Sequence, residues 1–233
     1  MTAATLVTLV VGTLTGASLL LASSAWAGAI RGKVLLAGPV PSPRKVPVTI
    51  DQYVCGTEKV AEDLAVSGQR GIRNAVVWIQ NAPSGATWPQ PAAPAQMDQK
   101  ECAFTPRVVL VPAGATVEFL NSDRLLHNLH GAPRENAPFN RTQPKGRTIP
   151  IVFTRPEIIR VDCDLHSWMR AWVVVAEHPY YAVTDTGGAF TFDNLPAGQY
   201  TLQIWQEKLG VTSRPVTVSG DAPTAVTVEL RQK

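Results

Sequence analysis

Short runs of Val, Thr, Ile and aromatic residues recur along this chain between turns bearing Gly and Pro, and almost no stretch repeats its apolar positions at helical spacing. The alternation predicts strands at 30–36, 46–50, 75–80, 107–111, 116–120, 148–153, 158–163, 171–176, 181–185, 189–192, 200–206, 214–218 and 225–230. So many strands, with no helices to cover a parallel sheet, predict an all-β protein of sandwich type. The Pro- and Ala-rich stretch 82–96 reads as an exposed loop. After Glu177 the composition shifts toward Thr, Asp and Gly, which places a domain boundary between 28–177 and a smaller module at 178–233.

The first 27 residues contain no charged residue and no His, 6–21 are mostly apolar, and Ala25-Trp26-Ala27 offers a small-x-small cleavage site before Gly28. This predicts a secretory signal peptide at 1–27 and a periplasmic or secreted protein with no membrane span after cleavage. The missing basic residue at the start leaves a second option, a leader retained as a membrane anchor. A net charge of +3 without a Lys/Arg cluster argues against nucleic acid as a partner. No nucleophile elbow or glycine-rich phosphate loop is present, and with four His in all there is no second His-rich centre, so no enzymatic role is expected.

Two stretches carry metal-ligating chemistry. One runs from Asn121 to His127 and Asn128, and the other is Cys163-x-x-His166-x-x-Met169. Together they offer a thiolate, two imidazoles and a thioether, the donor set of type 1 copper: two His and one Cys in a plane, with a weak axial Met. Zinc also accepts Cys and His, but a thioether is a poor zinc ligand, so Met169 favours copper. The tight Cys163–Met169 loop turns its donors toward one point, while His127 must arrive from a separate strand ending in the polar 121–123 segment. His130 reads as a surface or satisfied structural residue, and His178 as a residue of the domain junction. Three Cys in an exported chain is an odd count. The simplest arithmetic pairs Cys55 with Cys102, a bridge worth ~3–4 kcal/mol in the chain-entropy model, and leaves Cys163 as the metal thiolate. The alternative is that Cys55 and Cys102 are both unpaired and buried.

These motifs resemble the cupredoxins, and within them amicyanin and plastocyanin. The likeness rests on Gly114, Thr116, Val117, Phe119 and Asn121, on His127-Asn128-Leu129-His130, and on the Cys163–Met169 loop running into Arg170–Val175; it is clearest over 98–177. The short Cys-to-Met loop is amicyanin-like. Leu126 departs from the Pro that amicyanin has before its first ligand, which bears on loop rigidity. The resemblance implies a Greek-key β-sandwich with one copper held by His127, Cys163, His166 and Met169, and Asn128 bracing the two ligand loops. It implies that His166 lies in an exposed loop, its ring edge the exit for an electron, and that Leu125, Leu126, Pro133 and Trp168 form an apolar docking rim. The implied role is one-electron transfer with a redox protein such as a c-type cytochrome, a dehydrogenase or an oxidase. Copper storage or delivery, and a non-redox structural or interaction role, are the alternatives.

The stretch from Ala182 to Tyr200 resembles a carboxypeptidase regulatory-like, transthyretin-like module through Thr184-Asp185-x-x-Gly188-x-Phe190 and Leu195-Pro196-x-Gly198-x-Tyr200. Gly187 and Gly188 are expected to supply positive φ to its hairpin. With only 56 residues, 178–233 is marginal for a core of its own. Strands at 29–36 and 75–79 resemble the opening strands of that module, so residues 28–80 either complete it or open the copper domain.

Overall fold

The computed structural model describes Met1 and residues 28–89, 92–220 and 222–232, so the leader expected at 1–27 lies outside the described residues. The N-terminal part holds β1 (Gly28–Leu36), β2 (Lys45–Pro47), a one-turn helix α1 (Gln52–Cys55), β3 (Glu58–Val60) and β4 (Val76–Ile79). The middle holds β5 (Ala95–Lys100), β6 (Ala103–Thr105), β7 (Val108–Pro112), β8 (Ala115–Asn121), β9 (His127–Gly131), β10 (Phe139–Gln143), β11 (Ile149–Phe153), β12 (Glu157–Asp162) and β13 (Arg170–Ala176). The C-terminal part is β14 (Tyr181–Val183), β15 (Ala189–Leu195), β16 (Gly198–Gln206), β17 (Gly210–Val218) and β18 (Thr224–Leu230). The protein is all-β, as the patterning predicts. Among the described residues no helix is long and apolar enough to cross a membrane.

Two sandwiches result. In the first, a sheet of order β10-β9-β12-β13-β7 faces one of order β11-β8-β5-β6, with parallel pairing at β13–β7 and β5–β8. Phe119, Phe139 and Phe153 pack in its core with Val117, Leu129, Ile159 and Val173. In the second, β15-β1-β18 packs with β14-β4-β16-β17. β1 alternates cleanly: Ile30, Val34 and Leu36 point into the core, and Arg31 and Lys33 point outward. β1 lies between β15 and β18, and β4 between β14 and β16, so both early strands pack with the C-terminal strands. Part of the segment between them goes the other way: Val48 and Cys55 are buried in the core of the first sandwich, while Leu64, Val66 and Ile72 stay with the second. The middle of the chain is thus inserted into a sandwich built from both ends.

Two turns show what the motif residues do. Gly188 has φ +77°, and an added Cβ would meet the Val34 carbonyl at 2.3 Å, so both conformation and space demand glycine. Gly187 is not in the left-handed region, which corrects the expectation that both glycines supply positive φ. In the next turn the Tyr200 hydroxyl donates to the Pro196 carbonyl at 2.9 Å, closing the corner that Gly198 opens.

The sandwiches meet through Val76, Trp78, Val108, Trp172, Val174, Tyr181 and Trp205. Trp172 meets Trp205 edge-on at 4.7 Å, and Trp78 stacks on Tyr181 at 5.7 Å. A buried ion pair crosses the same junction: one Glu207 carboxylate oxygen accepts from Arg107 Nε and Nη2, both at 2.8 Å, while Arg107 Nη1 donates to the Arg170 carbonyl at 3.0 Å. His178 sits at this junction, its ring 4.9 Å from that of Tyr181, and burial pushes its pKa down.

Candidate metal centre

The end of β8 and the start of β9 are joined by a turn that Asn121 organises. Its side-chain amide donates to the carbonyls of Leu125 (3.0 Å) and Gln143 (2.8 Å), and its oxygen accepts from the Asp123 amide at 3.0 Å. This local bonding aims His127, the first residue of β9, into the end of the first sandwich. The second group follows β12, which ends at Asp162. From there Cys163 opens a turn closed by Met169 N–H to the His166 carbonyl (2.8 Å) and Cys163 N–H to the Met169 carbonyl (3.3 Å). β13 begins at Arg170, so the loop turns back within its own seven residues.

The structure brings His127, Cys163 and His166 together, all buried. The two Nδ1 atoms are 3.0 Å apart, and Cys163 Sγ lies 3.9 Å from His127 Nδ1 and 3.5 Å from His166 Nδ1. A point equidistant from these three atoms lies about 2.0 Å from each, close to the bond lengths of metal–imidazole and metal–thiolate donors (~2.0–2.3 Å). Met169 is buried in the same core, next along the turn.

The outward nitrogens have partners. His127 Nε2 lies 2.8 Å from Asp123 Oδ2, and His166 Nε2 lies 3.1 Å from Asp51 Oδ2. A carboxylate accepts, so each ring donates its Nε2–H outward and turns a Nδ1 lone pair inward. Two lone pairs 3.0 Å apart beside a thiol repel unless a cation lies between them. The donor set and this tautomer pattern therefore fit a metal ion held by Nδ1, Nδ1 and Sγ. Burial pushes the Cys163 thiol pKa up and the His127 pKa down, so without a cation both groups are held neutral.

Asn128 joins the two loops. It accepts the Asp164 amide at 2.6 Å and donates to Asn140 Oδ1 at 2.9 Å and Asp164 Oδ2 at 3.1 Å. His130 pairs with Asp164 at 2.8 Å on the surface, away from the three converging donors. Cys55 and Cys102 form a disulfide, leaving Cys163 as the unpaired thiol.

One expectation is corrected. His166 is not exposed: its relative exposure is 0%, with Asp51 over its outer nitrogen and the Trp168 ring 5.2 Å away. The cover comes from residue 51, far away in sequence, so the loop's own composition gave no sign of it. Of the docking-rim residues only Leu126 is well exposed; Leu125, Pro133 and Trp168 are half-buried, Leu125 and Trp168 packing on the core. Leu165, next to His166, is exposed, as are Ile50 and Tyr53 on either side of Asp51, and none of the three was read from the sequence as part of the rim. Nor were Asp51 and Asp123, although the four-residue spacing from Asp123 to His127 was available as a weak signal.

No curated protein matches the chain. Among solved structures it is similar to a copper-containing nitrite reductase (NirK) from Thermus scotoductus SA-01, at 27% identity and TM-score 0.35, over 42% of this chain and 25% of that one. The chain thus spans about a quarter of that enzyme. It is also similar to a purple cupredoxin from Nitrosopumilus maritimus (22% identity, TM-score 0.32, 35% of this chain and 99% of that one). A mutant amicyanin in its reduced Cu(I) form gives 21% identity and TM-score 0.34, over 43% of this chain and 98% of that one. At the other end, the chain carries a carboxypeptidase regulatory-like domain, matched over residues 169–231, which takes in β13 of the first sandwich together with β14–β18.

Proposed function

We propose that this chain is an exported one-electron carrier with a single type 1 copper held by His127, Cys163 and His166, with Met169 as the weak axial donor. The observation that carries the reading is the convergence of two Nδ1 atoms and Sγ, with both Nε2 atoms held by carboxylates. Copper would supply a one-electron couple. The chain's own residues supply a fixed, dry donor set: Asn128 ties the two ligand loops, and Asp51 and Asp123 fix both tautomers. A site that does not rearrange between oxidation states keeps the reorganisation cost of electron transfer low. The proposed partner is a redox protein such as a c-type cytochrome, a dehydrogenase or an oxidase, docking on the exposed apolar residues Leu126 and Leu165. A small contact suffices for such weak redox complexes. No catalytic role is proposed.

One observation favours a second reading, copper storage or delivery: the complete burial of His166 suits retention of an ion at least as well as fast electron exit. The test is the visible spectrum of copper-loaded, oxidised protein. An intense thiolate charge-transfer band at ~600 nm is expected, and Cys163→Ala is expected to abolish it. A colourless, copper-replete wild type refutes the type 1 assignment. With the band present, absence of any electron exchange with small cytochromes would shift the reading to storage or delivery.

A further inference from the structure

Asp51 is the residue that makes this centre unlike an open one. It belongs to a short segment whose ends are pinned in the first sandwich by buried Val48 and Cys55. The segment is closed on itself by Val48 N–H to the Thr57 carbonyl (3.0 Å), Gln52 Nε2 to the Val48 carbonyl (2.6 Å) and Cys55 N–H to the Asp51 carbonyl (2.9 Å). Its covalent anchor is the Cys55–Cys102 disulfide, which spans 47 residues of sequence.

Cys102 is a hub. Its amide donates to Asp123 Oδ2 at 2.8 Å, and Asp123 Oδ2 also faces His127 Nε2. Its carbonyl accepts from Trp168 Nε1 at 3.1 Å, and Trp168 packs beside His166. Its sulfur holds the segment that carries Asp51. The outer partners of both imidazoles are therefore joined through one residue. The backbone shows the same concentration: Asp51 (φ 55°), Glu101 (φ 54°) and Cys102 (φ 53°) are all left-handed non-glycine residues. Such positions persist only where the surroundings fix them. Here the fixing groups are the disulfide and Asp123, which also accepts the Glu101 amide at 2.6 Å.

We infer that the 48–56 segment, stapled by Cys55–Cys102, is a cap whose Asp51 positions His166 and whose closure sets how fast the centre exchanges its ion. This rests on the reading of the site as a metal centre. A buried imidazole cannot swing off an ion while its outer N–H is held and its outer edge is covered. Release of the ion, or entry of a solute to Cys163 behind His166, requires the cap to lift. Carboxylates that orient ligating His rings change metal affinity by about 10–100-fold when removed. An effect of that size is expected from a cap residue.

The experiment compares wild type with Asp51→Ala, Asp51→Asn and the double variant Cys55→Ser/Cys102→Ser, each checked for fold by circular dichroism. Two rates are measured: release of copper(II) into excess EDTA from the loaded proteins, and modification of Cys163 by an aromatic disulfide reagent in the copper-free proteins. Release at least tenfold faster is expected in Asp51→Ala and in the double variant, with Asp51→Asn between wild type and Asp51→Ala because it keeps an acceptor. Cys163 modification is expected to accelerate by at least the same factor in the double variant. Equal rates across all four copper-loaded proteins overturn the cap while leaving the metal reading intact. Failure of wild type to take copper, with Cys163 still shielded in wild type and exposed in the variants, overturns the metal reading and leaves only the cap. If the double variant does not fold, the two Asp51 variants decide the outcome alone.

Discussion

Removing Glu207 strips the charge partner from Arg107 at the junction of the two sandwiches. Both side chains are under a tenth exposed, at 8% and 7%, and one carboxylate oxygen accepts two guanidinium N–H groups at 2.8 Å. Charges about 4 Å apart attract by ~4 kcal/mol at an effective dielectric of ~20. In the intact pair most of that offsets the desolvation of two ions, so the pair itself contributes little net stability. Glu207→Ala loses the attraction but keeps the buried guanidinium, a situation that costs ~3–5 kcal/mol. The surviving bond from Arg107 to the Arg170 carbonyl places the expected loss near the lower end, ~3 kcal/mol. With a urea dependence of ~2–3 kcal/mol per molar, the midpoint should fall by ~1–1.5 M. Tryptophan fluorescence is a suitable probe, because Trp172 and Trp205 touch at the same junction. The double variant Arg107→Met/Glu207→Leu, which leaves no buried charge, should recover to within ~1 kcal/mol of wild type. A midpoint shift below ~0.3 M for Glu207→Ala, or a double variant no more stable than the single one, refutes the reasoning.

Two further outcomes follow from the same kind of accounting. Burial, with the nearby Glu177 charge second, pushes the Tyr181 pKa up to about 12, against ~10 for an unfolded tyrosine. Stability from keeping it neutral is complete below pH ~10 and is lost as pH rises toward 12, so alkaline unfolding of Tyr181→Phe, followed by fluorescence, should set in later than that of wild type. Asn128→Ala leaves the Asp164 amide without its 2.6 Å acceptor and should cost ~1–3 kcal/mol in the copper-free protein, with faster hydrogen exchange at that amide; unchanged exchange would show that Asn128 does not brace the loop.

Legibility in the sequence followed residue type. β13 reads as a continuous apolar run, Ala171–Ala176, because both of its faces are covered: Ala171, Val173 and Val175 face the first core, and Trp172 and Val174 face the junction. Chemistry-bearing spacings were equally visible, since Cys163, His166 and Met169 share one local turn. The strands missed were β3, β5, β6, β9 and β10; β3 and β6 are only three residues each, and β5 begins at Ala95, inside the stretch 82–96 expected to be a loop. β5 buries Met97 and Gln99 on its inward face, and Gln99 is concealed by its polarity although it donates to Gln143 Oε1 at 2.7 Å. β9 and β10 are His-, Asn- and Gln-rich, and their strand character comes from pairing with each other, not from propensity. The burial of His166 was illegible for a stronger reason: its cover is 115 residues away in sequence, and only the folded chain brings it near.

The inserted architecture gives the second sandwich a physical role at the site. Met169 ends the loop that opens at Cys163, and the next residues form β13, which pairs with β12 on one side and β7 on the other. The strand's outward face is not solvated; Trp172 and Val174 press against strands β4, β14 and β16 through Val76, Tyr181 and Trp205. Arg107 then reaches from just before β7 to the Arg170 carbonyl, one residue beyond Met169, and is itself held by Glu207 in the β16–β17 turn. The Cys163–Met169 loop is therefore supported at its C-terminal end by Arg107 and, through it, by Glu207 of the carboxypeptidase regulatory-like domain, and within the loop by Asn128 at Asp164 and Asp51 at His166. A domain whose resemblance specifies no chemistry of its own is thus part of what holds the loop that carries Cys163 and His166.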